Sequence, residues 1–196
     1  KLVDIAFSAK ADAIKFQTFK AKNLNIPESP KSTYHIETTG DDSVVSWYDL
    51  LKNQELSLDS HKQIINYCKS KKIIFLSTPY DEESADLLES LNVPAFKIAS
   101  TDTNNIPFLK YLAKKKKPIF LSTAMSTIEE VTEAVDTIRA EDLKEIVLMQ
   151  CTGNYPTKLK NSNLNVIKQF KDLFKCLVGY SDHSLDNINP IAATSL

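Results

Sequence analysis

Two lysines lie inside short apolar stretches of this sequence, where a charged side chain is unusual. Lys15 belongs to the apolar run 13–19, and Lys97 belongs to the run 95–100. Burying an ammonium group among apolar neighbours is costly unless an anion or hydrogen-bonding groups compensate. A small ligand with carboxylate and phosphate groups would provide that compensation. The alternative is that each lysine extends its ammonium group into water. Two such lysines at one site favour the ligand.

Six apolar runs end in polar or ionisable residues, and these shared endings indicate where the chemistry is concentrated. Near-continuous apolar runs bounded by turn residues are typical of parallel strands buried on both faces. The carboxyl ends of such strands share one edge, where α/β barrels have their active sites. The six runs span residues 13–19, 73–79, 95–100, 118–124, 145–152 and 177–183.

Helical patterns fill the spaces between these runs, and the alternation predicts an α/β fold. Asp81 can cap one helix, and Ser126 with Glu129 forms a capping box at the start of another. We predict a partial TIM (β/α)8 barrel with about six of its eight strands, because a complete barrel typically needs about 250 residues. The first and last strands are expected to be missing from this chain of 196 residues. The sequence is therefore predicted to be a fragment that forms one catalytic domain, residues 1–196.

A long loop insertion at about 20–55 interrupts the alternation. Pro27, Pro30 and Gly40 indicate that it is mostly irregular, whereas the residues from Trp47 onward favour a short helix. Long loops in compact domains are usually functional lids or disordered segments.

The composition argues against several classes of protein. The net charge of −1 gives no reason to expect nucleic acid or an anionic membrane as a partner. No apolar stretch approaches the roughly 18 residues of a membrane span, and no signal-peptide pattern opens the chain. Cys68, Cys151 and Cys176 are odd in number and lack metal-like spacing. We therefore expect a cytoplasmic protein in a reducing compartment.

Six motifs occur in order along the chain and together resemble one known family. They span Lys15–Thr18, Leu76–Tyr80, Phe96–Asn105, Lys117–Met125, Cys151–Pro156 and Gly179–His183. The pattern resembles the N-acetylneuraminate (sialic acid) synthases, a family with legionaminic and pseudaminic acid synthases and a spore-coat polysaccharide branch. The resemblance covers essentially the whole chain.

This resemblance implies an activity, a cofactor and partners. The family condenses phosphoenolpyruvate with an N-acylated hexose aldehyde, giving a nine-carbon 2-keto sugar acid and phosphate. A divalent metal ion (Mn²⁺, Mg²⁺ or Co²⁺) holds the aldehyde and polarises it. The resemblance also implies a homodimer of a longer chain with a small C-terminal antifreeze-like domain, which this sequence lacks. The fragment alone is expected to be inactive.

Position by position, the resemblance assigns Lys15 and Lys97 to phosphoenolpyruvate. Gln17 and Tyr155 are expected to touch the sugar. The sequence departs from the family at Gly153, where Ser or Asn is usual. The next residue, Asn154, is expected to replace the hydrogen bond that is lost there. The resemblance further implies that Thr78, Ser100, Ser122 and Ser181 donate hydrogen bonds to the phosphate and carboxylate oxygens of phosphoenolpyruvate.

The resemblance also implies which residue transfers protons and which residue binds the metal ion. Asp102 is expected to exchange a proton with the aldehyde or the attacking water; the alternative is that it caps the following helix. His183 is the candidate metal ligand, and the family takes a second histidine from a strand absent here. His35, in the long loop, and His61, in a surface helix, are predicted to be solvated.

Two other functions compete with this hypothesis. The first is a Schiff-base aldolase that uses Lys97 as a nucleophilic amine. The second is a non-catalytic relative that only binds a sugar phosphate. Because Lys15, Lys97, Asp102 and His183 are all present, the sequence favours the synthase over a non-catalytic relative.

Overall fold

The computed structural model describes all residues from 1 to 196 and divides into two units, Lys1–Val93 and Pro94–Leu196. The first unit contains two strands that pair in parallel, β1 (Ala13–Thr18) and β2 (Ile74–Pro79). Six helices surround them in sequence: α1 (Leu2–Ser8), α2 (Ala21–Leu24), α3 (Thr33–Thr39), α4 (Trp47–Gln54), α5 (Leu58–Lys71) and α6 (Glu82–Ser90).

The second unit alternates strands and helices without a long insertion. Its strands pair in parallel with their neighbours and are β3 (Phe96–Ile98), β4 (Ile119–Ser122), β5 (Ile146–Cys151) and β6 (Leu177–Ser181). Its helices are α7 (Ile106–Lys114), α8 (Ile128–Ala140), α9 (Val166–Phe174) and α10 (Ile188–Thr194).

The strand order confirms the predicted fold class. The sheet runs from β1 to β6 in the order of the chain, and each of the six predicted runs contains one strand. Consecutive parallel strands with helices between them are the arrangement of a (β/α)8 barrel. Six strands are present, as predicted. No helix in the structure combines the length and the apolar composition needed to cross a membrane.

Strand alternation gives the sheet of the second unit two different faces. Ile98, Leu121 and Leu148 occupy one face and are completely buried. The register pairs Ile98 with Leu121, and Leu121 with Leu148, so these side chains form a continuous apolar row. Helix α9 packs against β5 and β6. Because alternate residues of a strand point to opposite faces, the polar residues between these apolar positions share the other face.

The helix starts confirm one predicted cap and shift another. The Asp81 carboxylate accepts a hydrogen bond from the backbone N–H of Ser84 at the start of α6, as predicted. The capping box of α8 is formed by Thr127 and Glu130, one residue later than predicted. The reason is that the Ser126 N–H bonds to the Thr123 carbonyl oxygen in the preceding turn, which leaves the capping position to the next hydroxyl.

The insertion at 20–55 is more ordered than the sequence predicted. It contains α2, α3 and α4, and the short helix expected from Trp47 is confirmed. Ala21 of α2 and Leu51 of α4 form a small buried cluster with Phe19, which precedes the insertion. His35 lies in α3 and is only partly exposed, because its ring centroid lies 4.2 Å from that of Trp47. The description of His35 as a solvated loop residue was therefore wrong.

The prediction for His61 was also wrong, since this side chain is completely buried. Its Nδ1 lies 2.9 Å from the Ser57 carbonyl oxygen, which can only accept, so Nδ1 carries a proton. In the neutral ring, Nε2 then accepts from the Thr18 hydroxyl at 2.9 Å, and that hydroxyl accepts from Ser77 at 2.7 Å. The face of α5 that carries His61 packs against the strands, which the period of apolar residues did not reveal. This network holds the ends of β1 and β2 together.

Replacing His61 with alanine should therefore destabilise the protein. The change leaves the Ser57 carbonyl oxygen without this donor and removes the acceptor of the buried Thr18 hydroxyl, so we expect a loss of about 2–3 kcal/mol in the free energy of unfolding. Urea unfolding of the full-length protein measures this loss. Gln63→Ala, at an exposed position of the same helix, is the matched control. Equal unfolding midpoints for the two variants would contradict a structural role for this network.

Candidate active site

Several candidate residues of the second unit share one face of its sheet. Lys97 pairs in register with Phe120, two residues before Ser122, and Cys151 pairs with Ser181. By alternation, Lys97, Ser122, Cys151 and Ser181 lie on the face opposite to the buried apolar row. Lys97, Ser122 and Ser181 were expected to belong to one site, and the register places them on one face together with Cys151, which was not expected there.

Lys97 is held by the ends of β3 and β4. Its ammonium group donates hydrogen bonds to the Ser122 hydroxyl and, at 2.9 Å, to the Ile98 carbonyl oxygen. The Ser122 side chain is buried, and its carbonyl oxygen accepts from the Thr103 hydroxyl at 2.7 Å. Both of these acceptors are neutral, so they orient the half-buried ammonium group without cancelling its charge.

Ser100 joins the ends of three strands. Its hydroxyl oxygen accepts from the Ala124 N–H at 3.0 Å, just after β4, and lies 3.3 Å from the Cys151 sulfur at the end of β5. This arrangement places a second hydroxyl at the same end of the sheet as Ser122. The thiol contact is a feature that the sequence did not predict.

Asp102 lies in a single 3₁₀ turn after β3, and its side chain is largely buried. The Asn105 side-chain amide donates to its carboxylate at 3.1 Å. Burial raises the pKa of Asp102 above its usual range, and the hydrogen bond from Asn105 opposes that shift only in part. The alternative role as a helix cap is wrong, because Asn105 caps α7. A buried carboxyl group with a raised pKa is suited to proton transfer.

Tyr155 and His183 form a pair after β5 and β6. Their ring centroids are 4.1 Å apart and the rings are stacked. His183 Nδ1 lies 2.9 Å from the Thr152 carbonyl oxygen and must donate to it, which makes Nε2 the acceptor nitrogen of the neutral ring. The Tyr155 hydroxyl lies 3.1 Å from Nε2 and therefore donates to its lone pair. Tyr155, which was expected to touch the sugar, and His183, the candidate metal ligand, therefore contact each other.

The orientation of His183 fits a metal ligand, but the surrounding residues do not complete a metal centre. Ligating histidines commonly donate their other ring N–H to a carbonyl oxygen, as His183 does to Thr152. No three His, Cys, Asp or Glu side chains of the structure are grouped so that they could hold a metal ion. His183 is thus one donor, and these residues alone do not fit a complete metal site.

Asn154 lies apart from these contacts and is exposed on a cleft between the loops that follow β4 and β5. The neighbouring Gly153 packs against Met125: a Cβ atom at Gly153 would lie 3.1 Å from the Met125 Cγ atom. A serine or asparagine at this position would require Met125 to shift. The expected hydrogen bond from Asn154 to a ligand remains a prediction.

In the first unit, Lys15, Gln17 and Thr78 share one face of the β1–β2 pair. Gln17 is opposite Thr78 in register, whereas Thr18 and Ser77 point to the face that carries His61. Thr78 is buried, and Lys15 is exposed. Exposure of the Lys15 side chain corresponds to one of the two alternatives that the sequence left open. Surrounding protein atoms nevertheless remove enough water to lower the pKa of Lys15.

The sequence missed one polar partner in this unit. The Gln17 side-chain amide donates to the Tyr80 hydroxyl at 2.8 Å. Tyr80 follows β2 at the end of the motif Leu76–Tyr80, so its position directly after a strand was the available signal. The contact fixes the direction of the Gln17 side chain.

Comparison with known proteins identifies the family. Residues 2–196 match the NeuB family. The N,N'-diacetyllegionaminic acid synthase of Campylobacter jejuni subsp. jejuni serotype O:2 is 41% identical over 198 aligned positions, which cover 100% of this chain and 59% of that protein. The spore coat polysaccharide biosynthesis protein SpsE of Bacillus subtilis is 41% identical over 184 positions, which cover 93% of this chain and 48% of that protein.

Solved structures agree with this assignment. The N-acetylneuraminic acid synthetase of Leptospira borgpetersenii, in complex with citrate, superposes with a TM-score of 0.83 at 27% identity, covering 98% of this chain and 62% of that chain. Bacillus subtilis SpsE gives a TM-score of 0.78 at 38% identity, covering 98% of this chain and 51% of that chain. The chain belongs to the NeuB family, as its motifs predicted. It spans about half of the length of these relatives.

The raised pKa of Asp102 predicts a specific pH dependence of stability. Because the folded state favours the protonated carboxyl group, the contribution of Asp102 is most favourable below its ordinary pKa of 3.8. That contribution is lost as the pH rises through the pKa of the folded state. The free energy of unfolding of the wild type, minus that of Asp102→Asn, should therefore decrease from pH 4 upward and then become constant.

Urea unfolding of both proteins over a pH series measures this difference. Asp172→Asn, on the exposed side of α9, is the control and should show no comparable decrease. A difference that increases with pH for Asp102 would mean that the folded protein stabilises its ionised form.

Proposed function

We propose that the full-length protein condenses phosphoenolpyruvate with an N-acylated hexose aldehyde. The products are a nine-carbon 2-keto sugar acid and phosphate. Membership of the NeuB family supports this proposal, since the relatives include legionaminic, pseudaminic and N-acetylneuraminate-9-phosphate synthases. The observation that carries it is the Lys97 ammonium group, held on the Ser122 hydroxyl at the carboxyl ends of two parallel strands.

The second unit would bind the anionic substrate. Lys97 supplies positive charge, and the hydroxyls of Ser100, Ser122 and Ser181 are available as donors to phosphate or carboxylate oxygens. Binding the ligand would exchange the hydrogen bond between Lys97 and Ser122 for charge-assisted bonds to the oxyanion. Because Lys97 is already oriented by these contacts, little ordering of its side chain is needed on binding.

Proton transfer is assigned to Asp102. When the enol carbon attacks the aldehyde, the new alkoxide oxygen takes up a proton, and water then adds at the cationic enol-ether carbon and loses one. A carboxyl group with a raised pKa can donate the first proton and accept the second. Burial of Asp102 and its bond to Asn105 provide such a group after β3.

The first unit contributes residues with matching chemistry. Lys15 and Thr78 are proposed to contact phosphoenolpyruvate, and Gln17, directed by Tyr80, is proposed to contact the sugar. The lowered pKa of Lys15 reflects desolvation, which also strengthens the attraction between its ammonium group and an anion. A homodimeric full-length state and a cytoplasmic location remain predictions from the sequence.

We also propose that His183 supplies one ligand, through Nε2, to a divalent metal ion in the full-length protein. Such an ion would polarise the aldehyde oxygen of the sugar. The ion would take the place of the Tyr155 hydroxyl on Nε2 and leave that hydroxyl to orient the sugar, while Thr152 would keep the His183 ring in the required tautomer.

No contact of Lys97 favours the Schiff-base aldolase specifically. A neutral amine can donate to both Ser122 and Ile98 and still keep its lone pair, so borohydride trapping with pyruvate separates the two functions: covalent capture of Lys97 favours the aldolase, and no capture favours the synthase. The purely sugar-phosphate-binding alternative gives no reason for a buried carboxyl group at Asp102. Neither alternative is supported by a separate observation.

Replacing Lys97 with alanine in the full-length enzyme tests the assignment of the anion site. Loss of a desolvated partner of the oxyanion should cost ~3 kcal/mol or more in transition-state stabilisation. Since each ~1.4 kcal/mol corresponds to a factor of ten, kcat/KM for phosphoenolpyruvate should fall at least about a hundredfold in a phosphate-release assay. Lys114→Ala, at an exposed position in the last turn of α7, should retain normal kinetics. Normal kinetics in a folded Lys97→Ala variant would remove this residue from the site.

The metal proposal has a separate test. Titration of the full-length protein with Mn²⁺, followed by electron paramagnetic resonance of the free ion, should show specific binding that weakens at least about tenfold in His183→Ala. His35→Ala, which changes a histidine in α3, should bind Mn²⁺ like the wild type. If both variants bind equally well, His183 is not a ligand.

A further inference from the structure

A completely buried hydroxyl group, that of Thr103, joins two segments that carry groups of the proposed active site. Thr103 directly follows Asp102, at the end of the 3₁₀ turn after β3. Its hydroxyl donates to the Ser122 carbonyl oxygen at 2.7 Å. Because Thr103 has no exposed surface, it cannot touch a substrate. Any role in the reaction must therefore be exerted through the residues that it holds.

The geometry of the sheet explains why the Ser122 carbonyl oxygen requires a donor at this point. The Thr123 N–H bonds to the Met149 carbonyl oxygen of β5. In a trans peptide the N–H and the C=O point in opposite directions, so the Ser122 carbonyl oxygen points away from β5 and toward β3. Ser122 is buried, and a buried carbonyl oxygen needs a partner from the protein.

The strand that would supply this donor ends too early. In the β3–β4 ladder the Phe96 N–H donates to the Pro118 carbonyl oxygen, and each further step of a parallel ladder advances both strands by two residues. The Ser122 carbonyl oxygen would therefore pair with the N–H of Ser100, but β3 ends before Ser100 and the chain turns there. The Thr103 hydroxyl donates in place of the missing strand.

This bond relates the position of Asp102 to that of the anion site. On the strand side, the Ser122 hydroxyl accepts from the Lys97 ammonium group. On the turn side, the Asp102 carboxylate bonds to Asn105, which belongs to the same segment. No hydrogen bond joins the Asp102 side chain itself to β4. Its distance from Lys97 is therefore set by the bonds that its neighbours make.

A second bond also joins the turn to the end of β4. The Ser100 hydroxyl, which is only partly buried, accepts from the Ala124 N–H at 3.0 Å. Ser100 is itself proposed to bind substrate, so replacing it would change binding and positioning together. Replacing Thr103 separates the two effects, because this residue is out of reach of a ligand.

The other end of the turn is fixed to α7. The Asn105 side-chain oxygen accepts from the Phe108 N–H at 3.4 Å, so the amide nitrogen of the same side chain is the atom that faces Asp102, at 3.1 Å. Asp102 thus lies between two anchors, Asn105 on the side of α7 and Thr103 on the side of β4.

We propose that Thr103 is a positioning residue for the condensation reaction. Through its bond to the Ser122 carbonyl oxygen, it holds Asp102 at the distance from the phosphoenolpyruvate on Lys97 that proton transfer requires. The assignment rests on the proposed function and adds to it a residue that touches neither substrate. Such positioning matters because a displacement of about 1 Å can slow a reaction about a hundredfold.

Two replacements of Thr103 in the full-length enzyme separate its hydroxyl group from its methyl group. Thr103→Val keeps the shape and removes the donor, whereas Thr103→Ser keeps the donor. Phosphate release would be measured with phosphoenolpyruvate and either N-acetyl-D-mannosamine or its diacetamido analogue. Thr103→Val should lower kcat about ten- to a hundredfold, and Thr103→Ser should retain most of it. The KM for phosphoenolpyruvate should stay nearly constant, because pairing with β5 keeps Ser122 in place.

A matched control accounts for lost stability. Thr103→Val leaves a buried carbonyl oxygen without its donor and should unfold more readily than the wild type. Val135→Ala, which removes methyl groups from the buried face of α8, also lowers stability but leaves the turn unchanged. Circular dichroism gives the folded fraction of each variant. Per folded molecule, Val135→Ala should have the kcat of the wild type.

Four results would overturn the assignment: a normal kcat in Thr103→Val, an equal fall in Thr103→Ser, an equal fall in Val135→Ala, or a change confined to KM. If Thr103→Val does not fold, Thr103→Ala removes the same hydroxyl and decides the question. Absence of phosphate release by the wild type with both sugars would count against the proposed function and this role of Thr103 together. Normal kinetics in Thr103→Val would count against the role of Thr103 alone.

Discussion

Strand alternation in the parallel sheet is the constraint on which the site of the second unit depends. Burial of Ile98, Leu121 and Leu148 in one row fixes the register of β3, β4 and β5. A slip by one residue would expose this apolar row and bury the polar positions between them. The hydrophobic core therefore determines that Lys97 and Ser122 face the same side, and their hydrogen bond is a consequence of the packing on the other side.

The two units secure their strand ends in different ways. In the second unit, apolar packing fixes the register, and polar contacts such as that between Ser100 and the Ala124 N–H join the loops. In the first unit, a buried histidine connects α5 to Thr18 and through it to Ser77. A buried polar network of this kind stabilises a structure only when every member is satisfied. The directions of the bonds around His61 meet that condition.

Most of the fold and part of the site were predictable from the sequence, for identifiable reasons. The strands were predictable because apolar runs bounded by turn residues are local signals, and motifs of a known family confirmed their order. His61 was not predictable, because only the packing of α5 decides whether a single polar residue points inward. The exposure of Lys15 and the contact between Tyr155 and His183 likewise depend on side-chain positions that no local pattern encodes.

The known contacts of Lys97 are hydrogen bonds to a hydroxyl and to a carbonyl oxygen. A carboxylate beside the ammonium group would form a stronger bond than a hydroxyl or a carbonyl oxygen does. Such a partner would also neutralise the charge and compete with an incoming anion. Ser122 and Ile98 orient the ammonium group without neutralising its charge. Asp102 is likewise bonded to the neutral amide of Asn105, while burial favours its protonated form. Hydrogen bonds to neutral groups thus orient both ionisable side chains at this end of the sheet.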